Sequence, residues 1–487
     1  MKKKLFVFLI PIVLITISLL PRKENKELVS NTDNLVSFTV DGVESKTMPT
    51  KGSGYIANKI TCKNGSIITF DNDNYIIEVE KLESADACKI DFSKEKGSNT
   101  VTVTISDTSK IDSTSKTTTE GGKVVFYLTG EPESITGGEY TLSSNKLIVN
   151  NIISNINLNI TMSKTLYDQL LIDNSRIKER TKFNITFTET NTGTLYKATE
   201  SIAGNTPKDV YYFAGDAKNN WVKFGGFYWR IIRTNYDGSI RLLYSGTSHN
   251  TTEGYIIKES FFNTTTNDPM YVGYMYGTTG SLENNRLNTK DSTIKTYVDN
   301  WYKNNLTAYT KYISTEAVYC NDRELAQGST YKTGNTTFDY APRGRLDTNK
   351  TPAYNCTNIK DAFSGSNSEA KLTYPIGLMT ADEIAYAGGQ TETTLNAPYA
   401  WYYINANGES ITGNAITWSL SPNLWNGAQV FVWNVSGSGN PGYLYFLAVT
   451  NGYAVRPSIS LSSCNLISGG DGSANNPYIV KTDGTSC

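Results

Sequence analysis

The chain of 487 residues has one histidine, no C-x-x-C pair, no excess of positive charge and only one long apolar run. Each shortage excludes something. The lone histidine, His249, sits in the polar stretch Ser248 to Thr251 and reads as a loop residue rather than a triad base, and no zinc site of the usual kind is available. A formal net charge of -1 supplies no basic field to gather phosphates, so nucleic acid is not an expected partner. Nucleophile-elbow, zincin, Walker, Rossmann and EF-hand patterns are all missing, and the residues ask for no metal and no cofactor. Two carboxylates far apart in sequence leave no local signature. A carboxylate-dependent enzyme acting on envelope polysaccharide therefore stays open as an alternative.

What is present is a polar, turn-rich composition. Thr, Ser, Asn, Gly and Tyr are abundant, and Asn-Thr, Asn-Gly and Asp-Gly turns recur, the pattern of short strands joined by polar loops. A mainly β fold is expected, with α+β character in the C-terminal part. Lys2 to Lys4 precede the apolar run Leu5 to Leu20, which reads as an export signal. Being shorter than a span of roughly 20 residues, the run fits either a cleaved signal or a retained membrane anchor. Both place the rest of the chain outside the cytoplasm, at the cell surface or secreted. Six cysteines in an exported chain read as disulfides, and their order and spacing favour Cys62–Cys88, Cys320–Cys356 and Cys464–Cys487.

The chain divides on pattern into residues 1–22, the signal or anchor; 23–105, a disulfide-linked β-sandwich module; 106–122, a Ser/Thr/Lys linker; 123–205, a small β module with a helix from Ser163 to about Arg180; and 206–487, one large domain. In the first module Ile60 and Cys62 share one strand face, and Cys88, Ile90 and Phe92 another. All seven tryptophans and 26 of the 32 tyrosines fall after residue 205, so function is expected there.

Three stretches of the large domain stand out. Asn219 to Arg233 followed by Asn235 to Tyr244 reads as a hairpin around Asp237-Gly238, with a tight turn at Gly225-Gly226, Trp229 in the core and Arg230 and Arg233 in structural pairs. Thr380 to Gly389 contains adjacent Asp382 and Glu383. Acid–base work is one reading, but Thr380 and Glu383 at capping-box spacing before Gly388-Gly389 favour a capped helix. The third, Trp418 to Trp433 and on to Pro457, is densest in Trp, Tyr and Asn and reads either as core or as a surface where rings stack on a ligand and amides meet hydroxyls. The ligand-binding candidates are Trp418, Asn423, Trp425, Asn426, Trp433 and Tyr443, with Trp425 and Asn426 expected to be exposed in a Pro/Asn/Gly loop.

The order V-K-F-G-G-F-Y-W-R-I-I-R, Y-V-D-N-W-Y (Tyr297 to Tyr302), Y-P-I-G-L-M-T-A-D-E (Tyr374 to Glu383), W-S-L-S-P (Trp418 to Pro422) and Y-A-V-R-P-S-I-S-L (Tyr453 to Leu461) resembles an uncharacterised domain family of exported and surface proteins in low-GC Gram-positive bacteria. The resemblance implies a C-type-lectin-like, or sulfatase-modifying-like, fold over about 210 to 480, with the Cys62 to Phe92 module as the small domain found upstream. It supplies no active cysteine pair, because all six cysteines are assigned to bridges. Calcium-lectin motifs are absent too, the nearest text being S-P-N at Ser421 to Asn423. The expectation is an exported binding or adhesion-type protein for an extracellular ligand such as a glycan or cell-wall component. A structural stalk or filament component is the third possibility.

Overall fold

In the strand Cys88–Lys94, Cys88, Ile90 and Phe92 alternate with Lys89, Asp91 and Ser93, and only the first set is buried. That strand lies between Val36–Val40, which runs parallel to it, and Tyr55–Cys62, which runs antiparallel. The hairpin of Ile67–Asp71 and Ile76–Lys81 adds Ile68 and Phe70 to the same small core, with the Phe70 ring 5.1 Å from that of Phe92. These elements belong to a computed structural model that describes residues 36–83, 86–334 and 336–484. The export segment lies outside the described residues. The fold is mainly β, 40% strand and 13% helix, with several sheets.

Cys62 and Cys88 are bridged as expected, but not across a sandwich: they are register partners on neighbouring strands of one sheet, with Cα atoms 4.0 Å apart. Cys320–Cys356 is also formed. Cys464 is disulfide-bonded, whereas Cys487 lies outside the described residues. The first bridge closes a separation of 26 residues. Changing both Cys62 and Cys88 to Ser is expected to lower the stability of the small unit by about 3 kcal/mol, read from urea unfolding by far-UV circular dichroism.

The chain forms two compact units, one of the described residues up to Thr129 with Ser134–Thr161, the other of Gly130–Glu133 with the described residues from Met162 onward. This corrects the expected linker. Within 106–122, Ser115–Thr119 is a strand antiparallel to Ser98–Ile105, with Thr100 and Thr117 hydroxyls 2.9 Å apart. Threonine is β-branched and pairs well across strands without apolar periodicity, so a polar stretch folds. The helix expected from Ser163 is shorter and belongs to the large unit. It spans Leu166–Asp173 under a Thr165 cap and stops at Asn174, whose side chain donates to the Leu170 carbonyl at 2.9 Å; Arg176–Glu179 is already a strand.

The large unit is built on two sheets. In the first, Phe227–Thr234 pairs with Trp221–Phe224 through a turn in which Gly225 and Gly226 take φ of 60° and 85°, as a tight hairpin demands. It also pairs with Ile240–Tyr244, which in turn pairs with Pro457–Leu461. The second sheet runs in the order Ile257–Ser260, Tyr453–Val455, Thr417–Trp425, Val430–Val435, Leu444–Ala448. Trp229, Trp401, Trp425 and Trp433 are fully buried in the core of this unit. Among the described residues no helix is long and apolar enough to cross a membrane.

A tyrosine-lined groove as the candidate functional site

The six residues expected to face a ligand do not form a surface. Trp418, Asn423, Trp425 and Trp433 are all buried, with Trp425 only 2% exposed. Trp425 ends the strand Thr417–Trp425 instead of entering a loop, because Pro422 sits within the strand at a shift of register. A proline is tolerated in a sheet at such an irregularity. Asn426 is exposed, but its Oδ1 accepts from the Ala428 and Gln429 amides and so closes a turn. Tyr443 is half-buried against Tyr445. Trp229 is in the core as expected.

The adjacent acids Asp382 and Glu383 are absorbed by structure. Glu383 closes the expected capping box with Thr380. Its Oε1 also accepts from Arg233 Nε at 2.9 Å and Arg241 Nη1 at 3.1 Å, and Arg233 reaches Glu200 at 2.9 Å. Asp382 is gripped by Arg345, which bridges on to Asp322 at 2.8 Å. Burial would raise the Glu383 pKa, yet Arg241 and Arg233 more than offset it and hold the carboxyl below its ordinary value. Asp322 is pushed up by burial. With Cys320 and Cys356 these groups line a cavity of about 20 Å³, room for about one water and for no substrate. Arg230 is the exception to the expected pairing. It has no carboxylate partner among the described residues and bonds the Asn220 side chain and the carbonyls of Ala217 and Ile404.

Open space lies elsewhere. The helix Thr293–Asn305 starts at Ser292, whose side chain accepts from the Lys295 amide. Ile294, Val298 and Tyr302 recur every fourth residue and face the core. Thr293, Thr296, Tyr297 and Asn300, at i, i+3, i+4 and i+7, therefore share the outer face and form one wall of a groove of about 430 Å³. The opposite wall carries Asn263, Thr264, Thr265, Tyr271 and Tyr276.

Asn263 locks the two walls together. Its Nδ2 donates to the Tyr271 carbonyl at 2.7 Å and its Oδ1 accepts from the Thr293 amide at 3.3 Å. Tyr276 lies on a short strand whose partner is Lys290–Asp291, and its ring is 5.3 Å from that of Tyr271 at 64°. Tyr297 is 36% exposed, while Tyr271 and Tyr276 are half-buried. The groove's one acid, Asp291, is 3.3 Å from the Nζ of the fully buried Lys295. Burial, helped by Tyr271 and Asp291, raises the Tyr276 phenol, which stays a neutral donor at physiological pH. The result is three rings, hydroxyls and the exposed Asn300 amide beside a single acid, Asp291, which shares Lys295 with the closer Asp299 at 2.6 Å.

Tyr297 opens one of the sequence motifs, yet it is not among the residues that the sequence marks as ligand candidates. The signal that points to it is the helical spacing of Thr293, Thr296, Tyr297 and Asn300, which marks an aromatic and polar outer face.

A second groove of about 440 Å³ holds Glu253, Glu259, Lys258, Tyr255 and Tyr453. Both carboxylates are exposed to solvent. A general acid and base need two environments that differ, and this groove offers one. Among the described residues the grouping of metal-type ligands is Cys62, Asp86 and Cys88, and both sulfurs are spent in the disulfide. Compared with protein-family models, curated proteins and solved structures, the chain matches none.

Proposed function

We propose that this chain is an exported cell-surface or secreted binding protein whose large unit holds a neutral glycan-type ligand in the groove between Tyr271, Tyr276 and Tyr297. The observation that carries the reading is the groove's chemistry. Rings cover the apolar faces of a sugar, hydroxyls and amides meet its hydroxyl groups, and the one carboxylate, Asp291, is an acceptor for further sugar hydroxyls that also leans on Lys295. The intramolecular disulfides support an oxidising, extracytoplasmic setting. The C-type-lectin-like resemblance of the large unit agrees with a recognition role and adds no catalytic one.

Glycan-array and purified cell-wall pull-down measurements on the full chain test the reading. Selective binding is expected, with Tyr297→Ala and Tyr276→Ala each weakening affinity about tenfold, equivalent to about 1.4 kcal/mol. Absence of any selective glycan, or an unchanged affinity in both variants, would refute it. Turnover of the bound polysaccharide, abolished by Glu253→Gln or Glu259→Gln, would instead favour the carboxylate enzyme.

A further inference from the structure

The large unit pairs most of its buried or half-buried arginines with acids: Arg233, Arg241, Arg286, Arg323, Arg343 and Arg345 all reach a carboxylate. Arg180 does not. Its guanidinium carbon lies 4.5 Å from the ring centres of both Phe183 and Phe187, and Nη1 donates to the Tyr386 carbonyl at 2.6 Å. Two aromatic contacts, the bond to the Tyr386 carbonyl and the neighbouring Tyr212 phenol hold the fork in place without engaging a carboxylate. This fork lines a groove of about 320 Å³ with Phe183, Lys197, Thr199 and Tyr386. Glu179 and Asp209 line the same groove but pair with Lys197, at 3.3 Å and 3.6 Å, and not with Arg180, and both are mostly exposed and screened by solvent.

From this geometry we infer that the Arg180 groove is a binding site for an organic carboxylate, taken by the guanidinium fork and flanked by the Phe183 ring. A planar fork held between rings matches a carboxylate by two parallel hydrogen bonds, and it loses little freedom on binding. Burial disfavours the charged guanidinium, and only tyrosine phenols offset it, so a bound anion supplies the missing countercharge. The site does not rest on the tyrosine groove, and Tyr297→Ala leaves it unaffected.

Titrating the full chain with benzoate tests the inference, with benzamide as the neutral control. The expected result is saturable binding with Kd on the order of 1 mM, a shift of the Arg180 Nε–Hε resonance in arginine-labelled protein, and at least tenfold weaker binding of benzamide. Arg180→Gln removes the binding and Arg180→Lys, which keeps the charge but not the fork, weakens it severalfold. Glucuronate and N-acetylalanine then separate a sugar acid from a peptide terminus as the source of the carboxylate. An Arg180 resonance that does not move, or equal binding of benzamide, overturns the proposal without reference to any variant's folding.

Discussion

Glu383→Gln is expected to cost the large unit about 3–5 kcal/mol, the usual penalty for breaking a buried ion pair from one side. The carboxylate is 1% exposed and serves Arg233, Arg241 and the Thr380 amide together. The neutral amide would leave Arg241 with only the Val318 carbonyl and Arg233 with Glu200. All seven tryptophans lie in this unit, so tryptophan fluorescence in urea reports its unfolding alone. The pH dependence has a definite sign. Because the folded carboxyl titrates below its ordinary value, its contribution is fully present above the unfolded Glu pKa of about 4.3 and is lost as pH falls through the lower folded value. The variant should therefore show a flatter loss of stability as pH falls below about 4.3, the unfolded Glu value. A Gln variant within about 1 kcal/mol of the parent would mean that the two arginines find other partners.

Trp425→Ala should destabilise the large unit by about 3–5 kcal/mol and leave ligand affinity at the tyrosine groove unchanged. The indole is 2% exposed, donates to the Gly334 carbonyl at 3.1 Å and sits opposite Val430 and Phe338 in its sheet. Its removal opens a cavity between strands held on both sides, where little collapse can fill it. Urea unfolding and the glycan titration, run on the same sample, check both halves. A stable variant with lost binding would return Trp425 to the ligand surface and count against its place in the core.

Much of the fold follows from local rules. The Gly225-Gly226 turn, the Thr380/Glu383 box, the helix near Thr293 and the alternation of Cys88, Ile90 and Phe92 each depend on residues within one turn or strand, and each is legible from spacing. Cys62–Cys88 and Cys320–Cys356 are legible for a similar reason: a short separation makes the nearest pairing the easiest to close. Sequence and structure differ where a residue's identity and its environment part company. The strand Ser115–Thr119 looks like a linker because its residues, a serine, a lysine and three threonines, show no apolar period. Pro422 looks like loop because its tolerance in a strand depends on a local shift in pairing.

The candidate site divides the same way. By itself the sequence determined a mainly β chain with local disulfides, two of the three expected pairings being formed among the described residues, and an aromatic-rich C-terminal region, all properties of composition and short-range pattern. Only the tertiary structure decided which aromatics face inward. Trp425 and Tyr297 are both large rings in motif-like stretches that also carry asparagine, but one lies in a strand covered on both faces and the other on the outer face of a helix. Burial depends on what distant segments bring against a residue, and that cannot be read from the residue's own neighbours. The pairing of Glu383 with Arg233 and Arg241 was decided in the same way, across separations of 150 and 142 residues.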